Sequence, residues 1–158
     1  MCYSLFWVNE MIKDTDLEKV MHFSRSYQRF LLEMDNAAAG DDLSGAEARC
    51  LLVLAFHKKQ TLVDLNKRYG TDLAFLSRMV KRLVERGFIS REPNPEDGRS
   101  VLLTLTGKGA EQIPVLKARV RGYFQNTFGL LSDSQALELI GHMQAIDMLL
   151  QNGVKDIE

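Results

Sequence analysis

Apolar residues recur at helical spacing from Val20 to Met34, at Val20, Phe23, Tyr27, Phe30, Leu31 and Met34, and the stripe stops at the small and polar run Asn36–Asp42. That spacing is one face of an amphipathic helix. The stretch Ala46–Phe56 is apolar nearly all round, which predicts a buried helix. Helix starts are marked by a hydroxyl residue followed three positions later by an acid or amide: Thr15 with Glu18, Ser44 with Glu47, Ser132 with Gln135 and, more weakly, Thr61 with Asp64. Such capping boxes satisfy orphan amides reciprocally and place helix starts near residues 16, 45, 62 and 133.

Between residues 62 and 105 the period changes from helical to extended. Leu62 to Arg68, then Tyr69-Gly70-Thr71, then a helix from Asp72 to Arg86 halted at Gly87, give the outline of a helix-turn-helix. Phe88 to Glu92 and Ser100 to Leu105 read as two strands around the turn cluster Pro93–Gly98. Two strands alone are marginal, so the hairpin must lean on neighbouring helices as a wing. Helical spacing resumes with Ile113, Leu116, Val120, Tyr123, Phe124 and Phe128, with a kink expected at Pro114. A last helix presents Leu139, Met143, Ile146 and Leu150 and is expected to fray from Gln151 onward.

These elements predict a mainly α fold with a small β wing, in which a winged helix-turn-helix is flanked by N- and C-terminal dimerisation helices. The expected layout is a single domain over residues 1–158, with dimerisation helices at 16–42 and 107–152 and the winged helix-turn-helix at 43–106. Long apolar helices at both ends of a small central module suggest burial across a twofold axis, so the first expected partner is a second copy of the chain.

The composition agrees with one packed domain: of 158 residues 46% are apolar, and three prolines and eleven glycines exclude a disordered or collagen-like chain. Cys2 and Cys50 make neither a disulfide framework nor a CxxC metal motif, so no metal and no cofactor are expected, and a reduced cytoplasm is the simplest location. The opening MCYSLFWVNEMI lacks a basic leader and is shorter than the roughly 20 apolar residues of a membrane span. Leu5, Val8 and Ile12 mark it instead as amphipathic, suited to a dimer surface and not to a membrane.

The charge balance, 20 basic against 21 acidic, conceals a division. Residues 57–108 hold eleven basic and six acidic side chains, a net +5, while the remainder carries nine and fifteen, a net −6. A basic segment coinciding with a helix-turn-helix and wing is the electrostatic footprint of a reader of double-stranded DNA. On the helix from 72 to 86, Leu76, Met79, Val80 and Leu83 fall on an anchoring face, and Ala74, Phe75, Arg78, Lys81, Arg82 and Glu85 on the other. Arg78 has the planar fork for a guanine edge or a phosphate, and Phe75 could touch thymine methyl groups. The competing arrangement buries Phe75 and leaves Arg78 solvated. In the wing, Arg99 beside Asp97 suits a narrow minor groove, its alternative being a surface salt bridge.

The run LSGAEARCLLVL followed by DLAFLSRMVKRLVERGFISREPNPEDGRSVLLTLTGKG resembles the multiple antibiotic resistance regulator (MarR) family of winged helix-turn-helix transcription factors, over roughly residues 15–152. The segments DLAFLSR, DGRSVLLTLT and VMHFSRSYQRFLLEMD are similar to the regulator module that some bacteria fuse to a GNAT-type acetyltransferase; without that domain here, no acetyltransferase activity is expected. The resemblance implies an obligate homodimer that represses from a pseudo-palindromic operator. It implies DNA contacts at Leu73, Ala74, Phe75, Ser77, Arg78 and Lys81, with the wing arginine at Arg99 oriented by Asp97. Relatives commonly carry a hydroxyl residue where Ala74 and Phe75 stand. The resemblance also implies a small aromatic ligand in a cleft lined by His22, Tyr27, Phe30, Arg49 and Phe56.

Catalysis is not expected, because His22, His57 and His142 are scattered and no nucleophile elbow, P-loop or HExxH motif occurs. Two alternatives to an operator-binding repressor remain: a thiol redox sensor using Cys2, and a dimeric protein-interaction module of the same fold without DNA binding.

Overall fold

The computed structural model describes residues 13–154. The amphipathic opening segment and Cys2, with the redox reading that rests on it, lie outside the described residues. Helix α1 runs Asp14–Ala38, α2 Gly45–His57, α3 Leu62–Tyr69 and α4 Leu73–Glu85; strands β1 Ile89–Pro93 and β2 Val101–Leu105 follow, then α5 Gly107–Phe128 and α6 Asp133–Val154. This is the mainly α fold with a small wing, its helix starts at 45, 62 and 133 where the sequence puts them. Helix α5 continues through Pro114, and α6 is helical to Val154, past the expected onset of fraying.

Local chemistry accounts for most boundaries. The hydroxyls of Ser44 and Thr61 accept from the backbone N–H of Glu47 and Asp64, whose carboxylates accept in return. Ser132 and Gln135 make the same exchange at the start of α6. The box expected from Thr15 and Glu18 is absent: α1 begins at Asp14 behind Lys13, with no side-chain cap, so Thr15 already sits inside the first turn. Asp14 and Asp16 instead place negative charge against the helix dipole there. Gly70 and Gly87, at φ +55° and +75°, end α3 and follow α4 in the left-handed conformation that glycine adopts without a Cβ penalty.

The chain divides into two compact units, one ending at Val120 and the other starting at Arg121. In the first, Leu51, Leu54, Leu65, Leu76, Met79, Leu83, Ile89, Leu103 and Leu116 form a fully buried core. The wing is an antiparallel pair running from Ile89 opposite Leu105 to Pro93 opposite Val101. Its outer edge at β2 is covered by a bridge that periodicity does not reveal: Gln60 donates its amide to the Leu103 carbonyl at 3.2 Å and accepts from the Leu103 amide at 2.8 Å. The start of the helix-turn-helix is thereby stitched into the wing.

One expectation about burial changes. Helix α2 is buried at Ala48, Cys50, Leu51 and Leu54, but Phe56 is 83% exposed, because only one side of the helix meets the core. On α1, Val20 and Phe23 are half exposed in the single chain. In the second unit the end of α5 and α6 line an open pocket of about 430 Å³, walled by Phe124, Phe128, Leu139 and Met143.

Candidate nucleic-acid interface

Helix α4 is held from behind and open in front. Leu76, Met79, Val80 and Leu83 are essentially inaccessible, while Leu73, Ala74, Phe75, Ser77, Arg78 and Lys81 are exposed. Phe75, 40% exposed, is therefore not core. The Asp72 carboxylate accepts from the Phe75 amide at 2.7 Å and fixes the first turn, which carries Leu73, Ala74 and Phe75. Among the described residues no hydrogen bond or ion pair engages the Arg78 guanidinium. Lys81 lies 3.7 Å from Glu85 on the same exposed face, a pair that water screens.

Arg82 behaves differently from its place on the open side of the helix. Its Nε donates to Glu47 Oε1 at 3.2 Å, and Arg86 approaches the other oxygen of the same carboxylate at 3.6 Å. Arg86 also donates to the Asp42 carbonyl and lies over the Phe88 ring at 5.1 Å. Sequence reasoning assigned Glu47 to a cap alone; nothing in its local pattern signals partners 35 and 39 residues away. Burial pushes the Glu47 carboxyl up, but bonds from the Ser44 backbone and hydroxyl and from Arg82 outweigh it and hold it below the ordinary glutamate range.

The wing tip is organised by its own turn. Asn94 Nδ2 donates to Ser100 Oγ at 2.8 Å, and Asp97 Oδ1 accepts from the Arg99 backbone amide at 3.0 Å. Asp97 thus shapes the backbone from which Arg99 projects, and the salt bridge weighed as the alternative is not formed. Arg99 and Arg91 are exposed, and among the described residues neither has an ion-pair partner. Lys59, in contrast, is tied to Glu92 at 2.8 Å.

The five residues named for a ligand cleft are not gathered together. Arg49 and Phe56 line an apolar cavity of about 280 Å³ with Met34, Asp35, Leu52 and Val53. His22 lies in an open surface depression beside Glu18 and Arg25, and Tyr27 stacks between Phe23 and Phe30 along α1, with ring centres 5.6 and 6.2 Å away. Arg49 pairs with Asp35 at 3.3 Å and lies over the Tyr69 ring at 4.4 Å. Burial pushes the Asp35 carboxyl up, and Arg49 offsets only part of that.

Cys50 is fully buried, and burial pushes its thiol up to about 12, so it is protonated and poorly nucleophilic at neutral pH. In a Cys2→Ala chain, the remaining thiol should react with a disulfide reagent at pH 8 no faster than the protein unfolds. Stoichiometric reaction within seconds would show it to be accessible. Among the described residues no three His, Cys, Asp or Glu side chains gather to hold a metal, and no helix is long and apolar enough to cross a membrane.

Residues 43–101 match the MarR family. The chain is 41% identical over 69 residues to the multiple antibiotic resistance protein MarR of Escherichia coli K12, a match covering 44% of this chain and 48% of that protein. It is 29% identical over 109 residues to the HTH-type transcriptional regulator YdgJ of Bacillus subtilis 168, covering 68% and 64%. The matches thus span about half to two thirds of these relatives' own lengths. A solved structure of a mutant MarR from E. coli complexed with operator DNA is similar at 28% identity and a TM-score of 0.62, covering 82% of this chain and 92% of that one.

Proposed function

We propose, on the premise that the chain carries a MarR-family domain, that it is a homodimeric, sequence-specific binder of double-stranded DNA that represses transcription by occupying a pseudo-palindromic operator. One observation carries this reading: the Arg78 guanidinium, without a polar partner among the described residues, stands on the open face of a helix whose opposite face is wholly buried, within a segment of net +5. A helix held rigidly from behind with its N-terminal turns exposed is the geometry that enters a major groove. Leu73, Ala74, Phe75 and Ser77 would meet base edges, Arg78 a guanine or a phosphate, and Lys81 the backbone. Arg99, on a turn braced by Asp97, would reach the adjacent minor groove. The apolar positions left exposed on α1, among them Leu17, Val20 and Phe23, support a second copy as the partner that covers them.

A small aromatic ligand in the cavity at Arg49 and Phe56 would modulate operator affinity if it preferred a dimer whose recognition helices are wrongly spaced, since a ligand shifts an equilibrium only by its differential affinity. The work would be done in the cytoplasm, where the operator lies.

Selection from a random duplex pool tests the reading. Two half-sites related by a twofold axis, about 10 base pairs apart, are expected, with affinity that falls steeply as salt rises. No enrichment, together with retention on heparin that ignores salt, would instead identify a protein-interaction module. Within the same assay Arg99→Ala should weaken binding to all sequences and flatten the salt dependence by about one unit of slope; an unchanged slope returns Arg99 to the solvated surface.

A further inference from the structure

The chemistry at the rear of α4 is concentrated on one carboxylate. The Glu47 side chain is 7% exposed, and both of its oxygens are used. Oε2 accepts from the Ser44 amide at 3.0 Å and the Ser44 hydroxyl at 3.1 Å and lies 3.6 Å from Arg86; Oε1 accepts from Arg82 Nε at 3.2 Å. The first turn of α2 and the last turn of α4 therefore meet at this group. The arrangement matches the dipoles of both helices, with an anion at the N-terminal end of one and cations at the C-terminal end of the other.

We propose that Glu47 is a positioning residue for DNA recognition, and that Arg82 serves as its tether instead of as a phosphate contact. The inference rests on the DNA-binding reading above and goes beyond it by assigning Arg82 and Arg86, at the C-terminal end of α4, a role distinct from that of the contact residues. The buried apolar residues anchor one face of α4, and hydrophobic burial is itself non-directional. A charge-assisted bond at Arg82 and a second charge at Arg86, four residues further along, supply the direction that packing lacks. The tilt decides where Leu73 to Arg78 arrive, and base contacts tolerate displacements of only about 0.5 Å.

Glu47→Gln is the informative substitution, because glutamine still serves as the third residue of a capping box while the charge that holds the arginines is gone. Operator affinity should fall about tenfold, the discrimination carried by one good base contact, with affinity for random duplex undiminished. A merely destabilised protein would lose both in equal proportion, and that result, or an unchanged ratio of the two, overturns the proposal. Arg82→Gln provides the second arm. Arg82 is half exposed and truncation there leaves the core intact, so this variant remains measurable if Glu47→Gln fails to fold. It should lower the ratio of operator to random-duplex affinity without changing the salt slope; a slope shallower by about one unit would make Arg82 a phosphate contact and end the tether assignment. A wild-type protein that binds no duplex in a salt-dependent manner would remove the DNA reading itself, an outcome distinct from wild-type binding that the two variants leave unaltered.

Discussion

Arg78→Ala should lower operator affinity by about 1–3 kcal/mol, roughly 5- to 150-fold, while leaving the folded protein as stable as before. The two halves of this expectation have separate grounds. Arg78 touches no partner among the described residues, so its removal breaks no intramolecular bond. Its neighbours on the buried side, Leu76 and Met79, are untouched and keep α4 in place. The binding loss follows from its place in the second turn of the exposed face, where a guanidinium can make two parallel bonds to guanine or clamp a phosphate. A panel of operators carrying single-base changes separates the two. Loss of discrimination at one base pair assigns Arg78 to a base edge, and uniform loss with a shallower salt slope assigns it to the backbone. Unaltered affinity for every sequence would detach α4 from DNA altogether.

The largest effect on stability should come from Gly109→Ala. A Cβ there would stand well inside the contact distance of the Phe88 carbonyl oxygen, and 3.1 Å from its carbonyl carbon. Neither side can yield cheaply. The Phe88 carbonyl accepts from the Thr106 amide at 3.1 Å, the Thr106 hydroxyl donates to the Gly87 carbonyl at 2.6 Å, and the Gly109 amide donates to that hydroxyl at 3.1 Å. The end of α4, the entry to β1 and the start of α5 are locked within a few ångströms, so a methyl group must break a buried bond or lift α5 off the core. Overpacking of this kind costs about 3 kcal/mol, which at 2–4 °C per kcal/mol lowers Tm by roughly 6–12 °C. Gly107→Ala is the control: nothing lies within 4 Å of its Cβ, and a gain of a few tenths of a kcal/mol from reduced unfolded-state entropy is expected. Equal melting temperatures for the two variants would show that the close approach at Gly109 is not a constraint.

The comparison of these two sites shows what could be read without the fold. Arg78 was visible from the sequence because its helix carries Leu76, Met79, Val80 and Leu83 at helical spacing, and whatever lies opposite a buried face is exposed. The same logic placed the turn at Gly70, the stop at Gly87, the hairpin, and the caps at Ser44, Thr61 and Ser132, each an interaction spanning a few residues. The cap at Thr15 failed although its pattern is the same, since two aspartates let α1 start earlier without a hydroxyl. Gly109 left no such trace: its neighbour in space is 21 positions back in the chain.

By itself, then, the sequence determined the element order, the anchoring face of α4 and the segregation of positive charge onto the helix-turn-helix and wing, because periodicity, capping and composition act over one or two turns of chain. Tertiary structure alone decided that Phe56 lies exposed, that Gln60 pairs with the outer edge of β2 and that Glu47 joins two arginines of α4. Each of these depends on groups far apart in the chain that packing brings together. Residue identity limits what such a group can bond, and only the folded arrangement selects which partner it meets.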